Sequence, residues 1–341
     1  MRRVLLRCDA GPGVGGGHLV RSLALLHPWQ ERGGEVLLAS RGLPLAWRKI
    51  AEAAGCRLLP LAESSTQEDD ADQCLAALAS WPVDCVVVDH YGLDERWERK
   101  LRVDGRRLLA IDDMADRRHD CDVLLDQNDV RPERGRYRGL VPPECELMLG
   151  PGYALLRPEF ARLREQSRVR QEIGRLLVFF SSSDDGNETL KALRGVALLA
   201  PGWQLDVVTG GSHPDPAGIE QLCGRLGWRH HHQIDYMARL MLEADLALGG
   251  AGSASWERCA LGLPALVSVL DDNQKEVERA LTSAGAAISL GAAAGLTPDD
   301  YAMALSRWEG RMLSDASRAA FALADGLGAE RALRGLNTRR G

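Results

Sequence analysis

Short runs rich in Val, Leu and Ile alternate with longer segments of helical period along nearly the whole chain, and no feature restricts the fold more. Such alternation is the signature of stacked βαβ units and a mainly parallel sheet, an α/β class of fold. In the first half the expected strands are Val4 to Arg7, Glu35 to Ala39, Arg57 to Leu61, Cys85 to Val88, Leu108 to Ile111 and Val123 to Leu125. Between them His18 to Glu31, Leu45 to Ala54, Asp70 to Ala79 and Asp94 to Leu101 are amphipathic enough to serve as covering helices.

The pattern pauses once. Residues 155–173 form a charged, Arg-rich stretch without strand character, and a fresh strand begins at Arg175 to Phe180. Strands then follow at Leu205 to Thr209, Leu246 to Leu248, Ala265 to Val269 and Ala287 to Leu290, separated by helices at Asn187 to Leu199, Ile219 to Leu226, Met237 to Glu243, Ser253 to Leu261 and Gln274 to Ala284. A chain of 341 residues is too long for one core of ordinary size. The expected division is therefore a domain over 1–154, a linker over 155–173 and a second domain over 174–341, whose last stretch, Pro298 to Arg339, reads as helix only. Its basic residues Arg331, Arg334, Arg339 and Arg340 read as a solvated face.

Composition removes several function classes. Hydrophobic residues make up 45% of the chain and the net charge is −6, so there is no basic excess to track a phosphate backbone, and nucleic acid is not expected as a partner. No apolar stretch approaches the roughly 20 residues needed to cross a bilayer, and the start lacks the apolar core of a signal peptide. The eight cysteines stand singly without a C-x-x-C pair, which fits buried thiols in a reducing compartment. A cytoplasmic location follows as the expectation, and nothing here fixes the oligomeric state.

Two glycine-rich turns stand at the expected carboxyl ends of strands, where open α/β sheets bind ligands. In the first, Gly11, Gly13 and Gly16 precede a helix opening near His18. As a dinucleotide fingerprint it is weak, because the second strand ends in Ala39-Ser40-Arg41 without an acidic residue for a ribose. His18 says more. In the first turn of a helix it sits at the positive end of the dipole, which disfavours imidazolium and suits a general base. In the second turn, Gly249 to Glu257 follows a strand and feeds a helix, so free backbone N–H groups are available to an anion. Asp89-His90-Tyr91, Asp112-Asp113 and Asp126-Gln127-Asn128 also follow strands, where each Asp could equally be a cap. Cys8, His18, Asp89, His90 and Asp113 include metal-ligand types without metal-ligand spacing, and neither a metal nor a cofactor is expected. His230, His231 and His232 read as an exposed strand or loop.

Taken in order, these pieces resemble the UDP-sugar hydrolases of pseudaminic acid biosynthesis, which release UDP from UDP-2,4-diacetamido-2,4,6-trideoxy-β-L-altropyranose. The resemblance is carried by Arg7-Cys8-Asp9, Gly15-Gly16-Gly17-His18 with Arg21, Asp89-His90-Tyr91-Gly92, Ile111-Asp112-Asp113, Gly150 to Phe160 with Tyr153, Gly249 to Glu257, Leu261 to Pro264 and Asn273-Gln274. The second-half pieces are also similar to GT-B glycosyltransferases of the MurG type. The resemblance implies a GT-B fold of two Rossmann-like domains facing a central cleft, with UDP held mainly by the second. It further implies His18 as the general base that activates water for inverting attack on the anomeric carbon. Asp9, Gly16, Gly17, Arg21, Asp89, His90, Tyr91, Asp113 and Tyr153 would line the sugar side. Ser183, Asp184, Asn187, Gly250, Gly252, Ser253, Ala254 and Glu257 would hold the nucleotide side, and Asn273 and Gln274 would close over sugar or diphosphate. N–H groups from Gly252 to Ala254 would stabilise the leaving diphosphate without a metal. One departure is Ser181-Ser182-Ser183-Asp184 in place of the family's Gly-Gly-Ser-Asp, and serine resists the left-handed geometry that glycine accepts. The partner implied is a small-molecule UDP-sugar. The same architecture would also serve a glycosyltransferase with a glycan or lipid acceptor, or a UDP-sugar binding module without turnover.

Overall fold

In the first strand, Val4, Leu5 and Leu6 are all fully buried, although neighbouring residues of a strand point to opposite faces. A strand apolar on both faces needs a layer on each side, which is the situation of an interior parallel strand. The computed structural model describes residues 3–11, 14–63, 66–129, 135–200, 202–308 and 310–337. Gly13 of the first glycine turn, and Arg339 and Arg340, lie outside them.

The chain divides into two units, Met1–Pro158 with Leu327–Gly341, and Glu159–Gly326. In the first, β1 (Arg3–Cys8), α1 (Gly17–Glu31), β2 (Glu35–Arg41), α2 (Leu45–Ala53), β3 (Cys56–Leu61), α3 (Gln67–Leu78), β4 (Cys85–Asp89), α4 (Glu95–Leu101), β5 (Arg107–Ile111), β6 (Val123–Asp126) and β7 (Glu146–Leu149) follow one another. The sheet is parallel in every pairing, in the order β3-β2-β1-β4-β5-β6-β7. Val4, Leu6, Leu38, Val87 and Leu109 face one core layer with Leu25 and Leu26 of α1. Leu5, Leu37, Val86, Val88 and Leu108 face the other, with Cys74 of α3 and Trp97 of α4.

After α5 (Pro158–Arg164), the second unit runs through β8 (Arg175–Phe179), α6 (Glu188–Leu199), β9 (Gln204–Thr209), α7 (Pro216–Leu226), β10 (Arg229–His232), α8 (Met237–Glu243), β11 (Leu246–Gly250), α9 (Ala254–Ala260), β12 (Ala265–Val269), α10 (Lys275–Ser283), β13 (Ala287–Ala292), α11 (Pro298–Leu305) and α12 (Gly310–Leu323). Its sheet is again parallel, in the order β10-β9-β8-β11-β12-β13. In each sheet the strand order reverses beside the first strand of the unit, so β1 and β4 in one, and β8 and β11 in the other, flank a topological switch point. Among the described residues no helix is long and apolar enough to cross a membrane.

Several elements differ from the sequence reading, each for a local reason. The strand β7 escapes it because an edge strand of four residues, two of them exposed, carries too short an apolar run. Helix α3 begins at Gln67 rather than Asp70, since Thr66 accepts from the Asp69 N–H as its cap, which leaves Asp70 inside the helix and buried. The expected linker over 155–173 holds α5 and the fully buried Arg170, whose guanidinium donates to the carbonyls of Ala244, Met241, Leu242 and Leu261. Of the strand or loop expected at His230, His231 and His232, the strand forms: they lie in the edge strand β10, tied to Thr209 and Asp206.

The expectation that residues 174–341 stay together fails at Leu327, where the chain returns to the first unit. There α13 (Gly328–Asn337) buries Ala329, Ala332, Leu333 and Leu336 in the core that holds Leu25 and Leu26. That spacing is one helical stripe, and Leu333 and Leu336 each bring about 1.5–3 kcal/mol of burial. Arg331 of this helix donates to the Gly152 carbonyl, and Arg334 is exposed.

Candidate active site

Helix α1 opens at the end of the glycine turn and presents His18, Arg21 and Ser22 on one side, at positions i, i+3 and i+4. All three meet Asp89, the last residue of β4, which is fully buried at the first switch point. His18 Nδ1 lies 2.6 Å from Asp89 Oδ1, Arg21 donates to both carboxylate oxygens at 2.7 Å, and Ser22 Oγ donates at 3.1 Å. Burial pushes the Asp89 carboxyl up, but the Arg21 guanidinium and the His18 contact outweigh it and hold the group well below the usual carboxylate range. A carboxylate only accepts, so His18 Nδ1 carries the proton. Its Nε2 makes no hydrogen bond among the described residues. Nδ1 is thereby committed to Asp89, and Nε2 is the ring nitrogen left without a partner among the described residues.

Arg21 continues to Asp113, at 2.9 Å, and Asp113 accepts from the Tyr91 hydroxyl at 2.9 Å. Burial and the Asp113 carboxylate both push the Tyr91 phenol up, so it keeps its proton and donates. The Tyr91 ring meets the His18 ring edge to face, with centroids 4.6 Å apart. Asn128 also donates to Asp113, at 3.3 Å. His18, Arg21, Asp89, Tyr91 and Asp113 therefore form one connected cluster, drawn from α1, from the end of β4 and from the loops after β4 and β5.

Asp9 and His90 stand beside it, paired with each other. His90 Nε2 donates to Asp9 at 3.1 Å, and its Nδ1 accepts from the Gly92 N–H at 3.0 Å, so both ring nitrogens are spent. Asp9 also accepts from Arg7, Ser40 and the Arg41 N–H, and these contacts hold it well below the usual range against the pull of burial. Beneath it, Asp70 takes both Arg7 and Arg41. Arg7 and Ser40, which the sequence offers only as parts of motifs, support the cluster, and so do Ser22 and Asp70, which it does not mark as site residues. Asp70 sits in an acidic run, Glu68-Asp69-Asp70, that reads as a solvated helix start, and no local signal marks its burial.

Two sequence candidates of this unit pack rather than face the cluster. A Cβ added to Gly16 would lie 2.0 Å from the Trp47 ring, so Gly16 lets α2 close over the turn. Tyr153, in the single helical turn Pro151–Tyr153, packs against the core. Gly17 is the exposed first residue of α1.

In the second unit, β11 ends in Gly249 and Gly250 because nothing larger fits beside β8. Added Cβ atoms would stand 1.8 Å from the Phe179 carbonyl oxygen and 2.7 Å from that of Phe180. The following turn leaves the N–H groups of Gly252, Ser253 and Ala254 without a hydrogen bond among the described residues. Because α9 is only seven residues long, these N–H groups outweigh its dipole as an anion cradle. Gln274 approaches Gly252 and accepts from the Leu270 N–H, and Asn273 shares its short helical turn. Glu257 is half-buried on α9.

The serine loop does not meet the strain expected of it. Ser181, Ser182 and Ser183 keep ordinary dihedrals, and the positive φ falls on Asp184 (46°) and Asn187 (50°). Ser181 Oγ accepts from the Asp184 N–H at 2.7 Å, which stabilises that turn. Asp184 and Asn187 act as caps of α6: Asp184 accepts from Glu188, Thr189 and the Thr189 hydroxyl, and Asn187 from Leu190. Ser183 and Asp184 line a cavity of about 170 Å³ with Ser181, Asp185, Leu270 and Asp271. Among the described residues no group of three or more His, Cys, Asp or Glu side chains is arranged to hold a metal ion.

Two parallel Rossmann-like sheets, of seven and six strands, define a protein of the GT-B class. Its fold is similar to that of Acinetobacter baumannii MurG, with a TM-score of 0.69 and 16% identity over 98% of this chain and 99% of the other. In sequence it is similar to the UDP-2,4-diacetamido-2,4,6-trideoxy-β-L-altropyranose hydrolase of Campylobacter jejuni, 27% identical over 170 residues, which is 50% of this chain and 57% of that protein. It is also similar to the spore coat polysaccharide biosynthesis protein SpsG of Bacillus subtilis, 26% identical over 168 residues, 48% of this chain and 49% of that protein. The chain thus spans about half the length of these curated relatives. No family profile matches it.

Proposed function

We propose that the protein hydrolyses a UDP-linked 2,4-diacetamido-2,4,6-trideoxyhexose of the altrose type to UDP and the free sugar, with inversion at the anomeric carbon, as a step toward a nonulosonic acid. The observation that carries this reading is the His18–Asp89 pair, with Nδ1 committed and Nε2 available. It is supported by the likeness to the Campylobacter jejuni hydrolase.

In the proposed reaction, Nε2 takes a proton from water as the water oxygen bonds to the anomeric carbon. The bond from that carbon to the diphosphate oxygen breaks, and its electron pair leaves with UDP. Asp89 stabilises the imidazolium that forms, as the carboxylate of a His–Asp pair does. The N–H groups of Gly252, Ser253 and Ala254 receive the charge that grows on the diphosphate, so the chemistry asks for no metal. In this reading Tyr91 and Asp113 hold the imidazole and the sugar hydroxyls, and Glu257 takes the ribose diol.

The test is incubation of the pure protein with UDP-2,4-diacetamido-2,4,6-trideoxy-β-L-altropyranose, following UDP and free sugar by mass spectrometry. Release of both in equal amounts supports the hydrolase. UDP release only on addition of a glycan or lipid acceptor would make the protein a transferase instead, and UDP binding without release from any UDP-sugar would make it a binding module.

A further inference from the structure

Helix α9 carries a buried guanidinium that, among the described residues, forms no ion pair. Arg258 is 3% exposed. Its Nη2 donates to the Gly250 carbonyl and to Ser255 Oγ, both at 2.8 Å, and among the described residues no carboxylate lies within ion-pair distance. Burial lowers the group to about 10. Two other buried arginines are ion-paired: Arg7 is set between Asp9 and Asp70, and Arg21 between Asp89 and Asp113. Arg170, like Arg258, meets neutral acceptors, but these are backbone carbonyls around the ends of α8 and α9, away from the glycine turn.

The place of this unpaired charge is informative. Gly250 and Ser255 bracket the turn whose Gly252, Ser253 and Ala254 N–H groups are unbonded, so Arg258 grips both ends of a segment that is itself electropositive. Its other amino group, Nη1, reaches to 3.2 Å from where a Gly249 Cβ would stand, so the glycine also makes room for it. Taking a cation out of water costs several kcal/mol unless it is compensated, and among the described residues Arg258 has two neutral acceptors and, at longer range, the charge of Glu257.

We propose that Arg258 is a positioning residue for the diphosphate of a nucleoside diphosphate conjugate: it fixes the 250–255 turn and supplies, from behind it, the positive charge that the bound diphosphate compensates. The inference rests on the reading of this turn as the UDP cradle. Loss of the charge therefore weakens diphosphate binding selectively, while the uridine portion, which bears no charge, is held as before. It also removes from the free protein a buried cation that forms no ion pair among the described residues, which favours the folded state without ligand.

The experiment measures affinity for UDP and for uridine by calorimetry, and unfolding midpoint without ligand, in the wild type, Arg258→Gln, Arg258→Met and Arg258→Lys. Gln keeps hydrogen bonds to Gly250 and Ser255 without charge, so it decides the matter should Met fail to fold. Both neutral variants are expected to lose about tenfold in UDP affinity and less than twofold in uridine affinity, with Lys recovering most of the loss. The ligand-free midpoint of Arg258→Gln is expected to stay level or rise. Unchanged UDP affinity, equal losses for UDP and uridine, or a fall in ligand-free stability that accounts for the lost binding would overturn the proposal. Wild-type protein that binds neither UDP nor uridine would instead overturn the UDP reading itself, before any variant is compared.

Discussion

His18 Nδ1 and Asp89 Oδ1 stand 2.6 Å apart, one from the first turn of α1 and the other from the last position of β4, 71 residues later in the chain. Parallel pairing of Cys8 with Asp89 brings the end of β4 beside the end of β1, and the turn after β1 returns as α1 directly above it. Asp89→Asn keeps the shape, removes the charge and turns one of the two acceptor oxygens into a donor. Its amide can donate to Nδ1, which moves the ring proton to Nε2 and removes the base. Turnover of the UDP-sugar should fall on the order of 10²–10⁴-fold. The same change leaves Arg21 with less than its full charge partner, so a loss of roughly 3–5 kcal/mol is expected in urea unfolding. Unchanged turnover in folded variant protein would assign the base elsewhere.

Tyr91→Phe separates two contributions of one side chain. The ring edge against His18 is retained, and only the hydrogen bond to Asp113 is lost. A stability cost of about 1 kcal/mol is expected, with turnover reduced far less than by His18→Asn. Equal losses in the two variants would show that the hydroxyl itself takes part in the reaction.

Gly16→Ala probes packing. The new methyl meets the Trp47 ring at 2.0 Å, so the ring or the turn must move, at roughly 1–3 kcal/mol. Trp47→Ala opens the space. The double variant should therefore be more stable than the sum of the single losses predicts, by 0.5 kcal/mol or more in a denaturation cycle. Strict additivity would mean that the turn adjusts without touching Trp47.

A pH dependence is expected from Asp126. Tyr137 has one hydroxyl proton and lies 3.0 Å from Asp112 and 2.9 Å from Asp126, so it can donate fully to only one of these buried carboxyls at a time. Burial raises Asp126 to about 7, aided by the charge of Asp113 and opposed by the Asn128 N–H, Arg136 and Tyr137. A carboxyl raised on folding contributes stability that is fully present below its unfolded value near 4 and lost as pH climbs through 7. Between pH 5.5 and 8.5 this loss is about 2 kcal/mol, seen as a lower urea midpoint at the higher pH. Asp126→Asn should flatten that slope. Asp89 and Asp9 work in the opposite sense, since both are held low on folding, and their contributions disappear only as pH falls below the ordinary carboxylate range.

Much of this protein is legible in its residue order. Parallel strands buried on both faces must be short and apolar, and covering helices must carry an apolar stripe, so the periods of 2 and 3.6 residues mark most of both sheets and their helices. The turns marked themselves too, because the close approach of β11 to β8 needs the bare backbone of Gly249 and Gly250. Periodicity says which face of an element is buried without saying against what. The stripe of Ala329, Ala332, Leu333 and Leu336 is plain in the sequence, and only the fold decides that it closes the core of the first unit. Likewise, the sequence alone puts His18 at a helix start and Asp89 at a strand end. Which histidine keeps a ring nitrogen unbonded among the described residues is decided by contacts across the sheet, where Asp9 and Gly92 consume His90 and Asp89 takes only Nδ1 of His18. Hydrogen bonds depend on tenths of an ångström between residues far apart in the chain, and no local pattern encodes that distance.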